Sequence, residues 1–296
     1  MRQSKVNVAE EHPEMSGIAR LDRRTLLAGS LLAGAQLWLG SGRALAFAPG
    51  QSPASAEQLI AEQKLMLAQA NRILEHEGVL SGPGHVSCRH PTRPDRYLMS
   101  RMTPPASTVP SDILEFDLDS QPIAPLGDTR VYSERFIHGQ FYKHRPDVNG
   151  VVHSHAPDVL PFTVTDTPLK PVIIDATVLG TRVPLWDIRD RFGDATDVMV
   201  TANDRAADLV QVTGDASVVL IRGHGYVAVA PSLMSVTHLA IKTQLNAQVE
   251  QRALALGKLK EFTPGEMAAL APVIQDQRIV RRFWLEWLAR INTQGL

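Results

Sequence analysis

Two histidines end an apolar segment of the chain, in the run Val151-Val152-His153-Ser154-His155. Side chains at positions i and i+2 share one face of a β-strand, so both imidazoles can reach a single metal ion. The chain contains 10 histidines among 296 residues, and about 0.3 pairs with this spacing are expected by chance. The pair therefore indicates a metal site only together with further ligands.

A third histidine, His224, lies between Gly223 and Gly225 directly after an apolar run. Glycine permits a tight turn, and a turn at the end of a strand leaves the side chain between the glycines projecting from the sheet. Three neutral imidazoles suit Zn²⁺, Mn²⁺ or Fe²⁺ and leave a coordination position open for a substrate. His153, His155 and His224 are therefore the predicted metal ligands.

A carboxylate for the same centre is Glu134, which follows Ser133, a predicted helix cap. In this position Glu134 would either ligate the metal or act as a base beside a metal-polarised carbonyl group. The alternative is that Glu134 has no role in chemistry and is an acidic side chain stabilised by the positive, N-terminal end of a helix. The sequence pattern leaves both interpretations open.

The elements that position these residues are predicted from capping boxes and apolar periodicity. Ser55 with Gln58, and Thr263 with Glu266 behind Pro264, form capping boxes, and the first of these starts a helix that ends near residue 78. Further helices are predicted over 135–144, 202–212, 232–256 and 276–291. Strands are predicted at 85–89, 97–100, 113–118, 148–155, 172–176, 217–222 and 226–230. This order predicts one α/β domain with helices at both ends.

The first 46 residues are predicted to be an export signal. The motif Arg23-Arg24-Thr25-Leu26-Leu27 precedes an apolar run to residue 40, and Ala44-Leu45-Ala46 ends the segment. A charged flank, a short apolar core and an A-x-A site are the parts of a cleavable signal, and paired arginines are typical of the twin-arginine route. The alternative is a plain N-terminal arm. Cleavage after residue 46 would leave a linker at 47–57, a folded domain at 58–296 and a periplasmic protein.

The composition excludes several classes of protein. A hydrophobic content of 44% and a charged content of 21% are typical of a folded domain, and a net charge of −1 gives no basic footprint for nucleic acid. The single cysteine, Cys88, excludes an intramolecular disulfide and is interpreted as a packing residue. We therefore expect a small-molecule substrate, no nucleic-acid partner and no membrane association of the mature form.

Longer motifs resemble the class II aldolase/adducin family. They are Ser133-Glu134-Arg135-Phe136-Ile137-His138, the stretch Arg145-Pro146-Asp147-Val148-Asn149-Gly150-Val151-Val152-His153-Ser154-His155-Ala156, Gly84-His85-Val86-Ser87, and Arg222-Gly223-His224-Gly225. The resemblance covers about residues 58–256. It implies a three-layer α/β/α sandwich around a mainly antiparallel central sheet. It also implies a ring-like homotetramer with active sites at the subunit interfaces.

Carried over residue by residue, the resemblance implies that His153, His155 and His224 bind a divalent metal, with zinc favoured and manganese or iron as alternatives. Glu134 would be a metal ligand at rest and a proton shuttle during turnover. The metal would bind adjacent oxygens of an enediolate-like intermediate while Glu134 moves a proton. All four positions are filled in this chain, which favours an enzyme over a binding protein.

The chain departs from the family's sugar-phosphate aldolases at two places. Those enzymes resemble one another in having an asparagine after the glycine, where this chain has His85. They also carry a pair of small hydroxyl or glycine residues where this chain has Tyr132-Ser133. A phosphate site needs several backbone and hydroxyl donors, which an imidazole and a phenol would crowd. The Gly-His-Val-Ser motif and the run Tyr97-Leu98-Met99-Ser100-Arg101 are more similar to the decarboxylase branch, which acts on hydroxylated aromatic or pyridine carboxylic acids.

The substrate-side candidates come from these motifs. Arg101 is a candidate bidentate clamp for a carboxylate, and a structural ion pair is the alternative. His85 is a candidate general acid or substrate donor, and a structural histidine is the alternative. Ser100 and Ser133 are candidate substrate contacts. His138 lies one helical turn after the predicted acid and is expected to support the ligands rather than bind the metal.

The sequence therefore predicts a metal-dependent carbon–carbon lyase of aldolase or decarboxylase type. Its substrate would be a small non-phosphorylated hydroxy or oxo acid, or a hydroxyaromatic acid. A non-haem iron oxygenase on the same scaffold is the first alternative, which metal identity and oxygen dependence would separate. A non-catalytic adducin-like binding module is the second, which the absence of metal would separate.

Overall fold

A computed structural model describes residues 55–296 of the chain. The export signal predicted for residues 1–46, and the linker at 47–57 up to residue 54, lie outside the described residues. No helix among residues 55–296 is long and apolar enough to cross a membrane.

The centre of the described chain is a seven-stranded mixed sheet in the order β3-β2-β1-β4-β7-β6-β5. Neighbouring strands are antiparallel except for the short β5–β6 pair, which is parallel. This confirms the predicted sheet. The strands are β1 (His85–Arg89), β2 (Arg96–Ser100), β3 (Ile113–Asp117), β4 (Gly150–Ser154), β5 (Leu185–Trp186), β6 (Val218–Ile221) and β7 (Gly225–Ala230).

Side chains alternate between the two faces of the sheet and build two separate apolar cores. In β4, Val152 joins one core and Val151 joins the other, and in β7 the same holds for Ala228 and Val227. Because successive residues of a strand point to opposite faces, every second residue shares a core. By this alternation His85, Ser87 and His153 lie on the face of Val151 and Val227.

Helices cover both faces, so the molecule has the predicted three α/β/α layers. Helices α1, α6 and α8 contribute to the core of Val152, whereas α2 and α5 contribute to the core of Val151. The helices are α1 (Ala56–His76), α2 (Phe136–His144), α3 (Leu160–Thr163), α4 (Arg189–Phe192), α5 (Asn203–Thr213), α6 (Leu233–Leu256), α7 (Pro264–Ile274) and α8 (Gln277–Leu288).

Both predicted capping boxes are present. The Ser55 hydroxyl accepts the Gln58 amide N–H at 3.2 Å while the Gln58 side chain accepts the Ser55 N–H at 2.8 Å. Thr263 and Glu266 make the same reciprocal pair at the start of α7, where Pro264 is the first helical residue. These bonds satisfy amide donors that a helix start would otherwise leave free.

The helix predicted over 135–144 is confirmed as α2, but the cap predicted at Ser133 is wrong. Ser133 is exposed in a turn, and α2 begins only at Phe136 with no side-chain cap. The turn over residues 133–135 directs the Glu134 carboxylate away from the helix end, to the distant Val200 amide N–H at 2.9 Å.

The strand predicted at 172–176 is also wrong, because the chain forms a 3₁₀ helix over Ile174–Leu179. The backbone groups that precede it bond to side chains of α6 instead of to a strand. The Val172 N–H donates to Asn246 Oδ1 at 2.8 Å, and Asn246 Nδ2 donates to the Lys170 carbonyl at 2.7 Å. An apolar run alone does not show whether such side-chain partners will be present.

Candidate metal centre

One end of the sheet gathers the predicted site residues. Antiparallel neighbours run in opposite directions, so the start of β1, the end of β4 and the start of β7 lie at the same edge. His85 is paired in register with His153, and His153 is paired with Val227 of β7. His224 directly precedes β7, so residues far apart in sequence meet at this edge.

The turn that carries His224 depends on its two glycines. Gly223 has φ +64°, in the left-handed region that favours glycine, and its N–H donates to Thr163 Oγ1 at 3.1 Å. A Cβ atom on Gly225 would lie 2.1 Å from the Ser154 carbonyl oxygen, so no larger residue fits there without a shift of the backbone. The sequence prediction of a tight glycine turn is confirmed.

Three imidazoles and one carboxylate converge at this edge. Candidate ligand atoms of Glu134, His153, His155 and His224 all lie within 4.8 Å of one another. His155 Nε2 lies 2.9 Å from His153 Nε2 and 3.1 Å from His224 Nε2. Glu134 Oε2 lies 3.4 Å from His153 Nε2 and 3.3 Å from His224 Nε2. All four side chains are buried or half-buried.

Backbone carbonyls fix which nitrogen of two rings faces the cluster. His153 Nδ1 lies 3.1 Å from the Tyr226 carbonyl oxygen, and His224 Nδ1 lies 3.0 Å from the Val198 carbonyl oxygen. A carbonyl only accepts, so each Nδ1 carries the hydrogen and each Nε2 carries a lone pair. Second partners of this kind orient histidine ligands in metal sites.

The donor set fits a divalent metal. Neutral Nε2 atoms that face one another at about 3 Å repel each other unless a cation or a proton lies between them. Three imidazole nitrogens and a carboxylate oxygen are donors that Zn²⁺, Mn²⁺ and Fe²⁺ accept. Glu134, His153, His155 and His224 are therefore the residues that would hold such an ion.

The electrostatics of the cluster keep His155 and Glu134 in the form that binds a metal. Burial and the neighbouring rings of His153 and His224 lower the pKa of His155 to about 3, so this ring is neutral near pH 7. Burial by itself raises the pKa of Glu134, but the same two rings lower it by more, so this carboxyl group is ionised. For His224, burial lowers the pKa and contact with Glu134 raises it by more.

A short loop on the far side of the site supports two ligands at once. Val198 has φ +53°, which is a strained conformation for a β-branched residue, and its carbonyl accepts from His224. Two residues later, the Val200 N–H donates to Glu134 Oε1 at 2.9 Å. Arg205 donates to the Met199 carbonyl at 2.7 Å between them. The loop therefore sets the positions of a ring and a carboxylate together.

His85 borders the cluster and belongs to a buried polar network. Its ring centre lies 5.1 Å from that of His153 and 4.7 Å from that of Tyr132. His85 Nδ1 lies 2.7 Å from His138 Nε2. Burial lowers the pKa of His138 to about 3 and lowers that of His85 well below its usual value. His138 does not reach the ligand atoms and contacts His85 instead, as expected of a supporting residue.

The remaining predicted site residues are spread around this edge. Arg101, directly after β2, donates from Nε to Asp112 Oδ1 at 2.7 Å and stays half-exposed. Ser100 is buried at the end of β2, and Ser133 is exposed beside Glu134. Cys88 is buried in the core, and burial raises its thiol pKa to about 12.

The sequence interpretation missed the backbone groups that hold the ligands. The carbonyls of Tyr226 and Val198 and the N–H of Val200 have no side-chain signature. It also missed Ser87 and Tyr142, which extend the hydrogen bonds of His138. Their spacing carried a signal, because Ser87 stands two residues after His85 in a strand, and Tyr142 stands four residues after His138 in a helix.

Comparisons with known proteins agree with this geometry. Residues 66–250 match the family model described as Class II Aldolase and Adducin N-terminal domain. Decarboxylase tropJ from Talaromyces stipitatus is 33% identical over 245 residues, which cover 76% of this chain and 92% of that protein. A 3,4-dihydroxyphthalate decarboxylase from Arthrobacter keyseri is 31% identical over 241 residues, which cover 76% of this chain and 92% of that protein.

Among solved structures, the chain is similar in fold to an L-fuculose 1-phosphate aldolase from Glaciozyma antarctica PI12. The TM-score is 0.67 at 19% sequence identity, and the match covers 81% of this chain and 92% of that one. At this identity the likeness is one of fold alone.

Proposed function

Because the chain belongs to the class II aldolase and adducin family, we propose that it is a metal-dependent lyase that removes a carboxylate group from a small, non-phosphorylated hydroxyaromatic acid. The family and the two decarboxylase relatives indicate a lyase. The observation that carries the proposal is the convergence of Glu134, His153, His155 and His224 on one point at the edge of the sheet.

A divalent cation at this point, with zinc favoured over manganese or iron, supplies positive charge that stabilises negative charge developing on a substrate oxygen. His153, His155 and His224 would hold it through their Nε2 atoms. The carbonyl partners of His153 and His224 keep those atoms in the ligand tautomer before the metal arrives.

Glu134 is the residue placed to move a proton. Its Oε1 is anchored by the Val200 N–H, while Oε2 lies at the ligand cluster, so one oxygen is fixed and the other is available. In the proposed reaction Oε2 accepts the proton of a substrate hydroxyl group. The bond between the ring carbon and the carboxyl carbon then breaks, CO₂ leaves, and the same proton returns to the ring carbon.

The position of Tyr132 supports the proposal that the substrate carries no phosphate group. Its hydroxyl donates to the Thr103 carbonyl at 3.0 Å, and its ring lies against His85, so the phenol is held in place. A phosphate group needs several converging N–H and hydroxyl donors. Here the neighbouring space holds two bulky rings instead. An aromatic acid suits such a surface, because aromatic rings pack well against one another.

Arg101 is the proposed partner of a substrate carboxylate. Its Nε is bonded to Asp112, and its two terminal nitrogens have no partner among residues 55–296, so they can bind a further carboxylate. It directly follows β2, whose end lies at the same edge of the sheet as the start of β1. Ser100, which precedes Arg101, and Ser133, which precedes Glu134, are the proposed hydroxyl contacts of the substrate.

The test is a substrate panel with the zinc-loaded full chain. We expect CO₂ release from 3,4-dihydroxyphthalate or another hydroxyaromatic carboxylic acid, and no cleavage of L-fuculose 1-phosphate. The Glu134→Gln variant keeps the shape of the side chain and should reduce CO₂ release by at least about 100-fold. Cleavage of the sugar phosphate, or equal activity of the variant, would overturn the proposal.

The same assay separates the two alternatives. An oxygenase would be active with iron, would consume O₂ and would stop without air, whereas the proposed lyase works equally well under nitrogen. A binding module would retain no metal after purification without chelators. Metal analysis per chain and an oxygen electrode therefore complete the experiment.

A further inference from the structure

Four buried side chains form a continuous hydrogen-bonded row beside the metal ligands. His85 Nδ1 lies 2.7 Å from His138 Nε2, His138 Nδ1 lies 2.5 Å from Ser87 Oγ, and Ser87 Oγ lies 2.8 Å from the Tyr142 hydroxyl. None of the four residues is more than 2% exposed. We call this row the His85–Tyr142 relay.

The relay arises where a strand and a helix lie face to face. His85 and Ser87 are two residues apart in β1 and share one face of the sheet. His138 and Tyr142 are four residues apart in α2 and share one face of the helix. The row therefore alternates between the strand and the helix, in the order His85, His138, Ser87 and Tyr142.

Only one arrangement of the hydrogens in the relay gives every hydrogen an acceptor. Among the described residues, the Tyr142 hydroxyl contacts no acceptor except Ser87 Oγ, so it donates there. Ser87 then donates its own hydrogen to His138 Nδ1. In the reverse direction the Tyr142 hydrogen would be buried without an acceptor, which is unfavourable.

This direction determines the tautomer of both rings. His138 Nδ1 accepts, so the hydrogen of this ring is on Nε2 and is donated to His85 Nδ1. The hydrogen of His85 is then on Nε2. That atom makes no hydrogen bond to any described residue, and it is not among the buried polar atoms that are sealed off without a partner.

We infer that Ser87 and His138 hold His85 as a neutral imidazole with its hydrogen on Nε2, which donates a hydrogen bond to an oxygen of the substrate beside the metal centre. The inference rests on the proposed function for its substrate. It assigns His85 the part of a donor, and it makes Ser87 and His138 positioning residues.

The relay orients a hydrogen and does not deliver one. If His85 gave its Nε2 proton to the substrate, a series of proton transfers along the row could replace it, and the last of these protons would come from Tyr142. That would leave a buried phenolate, and burial raises the pKa of Tyr142 well above its usual value. Proton transfer therefore remains with Glu134, and His85 contributes a hydrogen bond.

The test is the tautomer itself, measured on the zinc-loaded full chain without substrate. Histidine ¹⁵N chemical shifts distinguish a protonated ring nitrogen from an unprotonated one, and the His85→Asn variant assigns the His85 signals. We expect a protonated Nε2 and an unprotonated Nδ1 for His85. A hydrogen on His85 Nδ1 would overturn the inference.

Two variants separate the relay from simple packing. Ser87→Ala removes the donor to His138 and should convert His85 to a mixture of tautomers. Tyr142→Phe leaves Ser87 able to donate and should keep the tautomer unchanged. If Ser87→Ala also leaves it unchanged, Ser87 does not set the tautomer and the relay is wrong. The Tyr142→Phe variant and the wild type remain informative if Ser87→Ala does not fold.

Binding of salicylate, a simple hydroxyaromatic carboxylate, tests the donor role. We expect Ser87→Ala to bind it about twofold more weakly than the wild type, because only about half of the population then holds the donor tautomer, with Tyr142→Phe unchanged. Equal binding by all three would overturn the donor role. No binding to the wild type would contradict the proposed substrate class and leave the tautomer result standing, so the two failures are distinguishable.

Discussion

His155 is the proposed ligand whose loss would affect the proposed metal centre most directly. Its Nε2 lies between those of the other two histidines, at 2.9 and 3.1 Å, and it is the most exposed of the four ligands. Unlike His153 and His224, it has no backbone carbonyl bonded to Nδ1 among the described residues. It can therefore be replaced with the least disturbance of the surrounding structure.

We expect His155→Ala to fold normally but to lose the metal. The wild type should contain about one divalent ion per chain, whereas the variant should lose most of it on dialysis against a chelator, because one of the four candidate ligands is gone. Elemental analysis measures this. The control is His144→Ala, which removes an exposed histidine near the end of α2. Full metal content in His155→Ala would contradict the ligand assignment.

Residue types and spacing were sufficient to predict which four side chains converge, but not the groups that orient them. Histidines two residues apart in a strand, and one between glycines, are visible in the sequence. The Val198 carbonyl is not, because nothing about a valine predicts φ +53° or a bond to His224. Backbone partners depend on where a distant loop finally lies, which only the complete fold determines.

Among the elements, the turn before β7 has the tightest packing requirement at the site. The Ser154 carbonyl oxygen would lie 2.1 Å from a Cβ on Gly225, where β7 pairs with β4. This contact involves backbone atoms, so it cannot be relieved by turning a flexible side chain. The turn also carries His224, which links strand pairing directly to the metal centre.

We expect Gly225→Ala to destabilise the protein by at least about 3 kcal/mol and to lower the Tm by roughly 6–12 °C. Thermal unfolding followed by circular dichroism measures this. The matched control is Gly265→Ala in α7, where the added Cβ meets nothing closer than 3.9 Å. Alanine favours a helix over glycine, so the control should be unchanged or slightly more stable. Equal Tm values for both variants would contradict the packing argument.

Element boundaries were predictable where the signal was local. The strand at 85–89 is β1 residue for residue, and the helix starts at Ser55 and Thr263 follow from their capping boxes. The failure at 172–176 had a long-range cause, because Asn246 of α6 takes up the backbone groups there. The two-residue strand β5 is too short to leave any pattern.

At the scale of the whole molecule, one buried carboxyl group makes stability depend on pH. Glu250 of α6 is fully buried and accepts the Lys170 backbone N–H at 3.0 Å. Burial raises its pKa from the usual 4.5 to about 7. The folded state therefore holds this proton more tightly than the unfolded state, and stability falls as the pH rises from 4.5 to 7.

We expect Glu250→Gln to stabilise the protein at pH 8 much more than at pH 5. The gain should be about 1–3 kcal/mol at pH 8, because the variant carries no buried charge, and small at pH 5, where Glu250 is already mostly protonated. Urea unfolding at both pH values measures it. The control is Glu62→Gln, an exposed acid of α1. An equal gain at both pH values would exclude ionisation of Glu250 as the cause.

The metal centre also bears on how the molecule would reach the periplasm. Its proposed ligands come from positions 134, 153, 155 and 224, so the site would form only in the folded chain. The twin-arginine route carries folded proteins, and a chain with one cysteine needs no oxidising compartment to fold. We propose that the protein folds and takes up its metal in the cytoplasm and is then exported by the paired arginines near its N-terminus.

The export proposal is tested by replacing Arg23 and Arg24 with lysine. Lysine keeps the charge but not the motif, so the double variant should accumulate uncleaved in the cytoplasm, while the wild type appears in the periplasm shortened by about 46 residues. Immunoblots of cell fractions and N-terminal sequencing measure this. The matched control, Arg2→Lys with Arg20→Lys, changes two arginines outside the pair and should be exported normally. Export of the Arg23 and Arg24 variant at the wild-type level would show that the pair is not the signal.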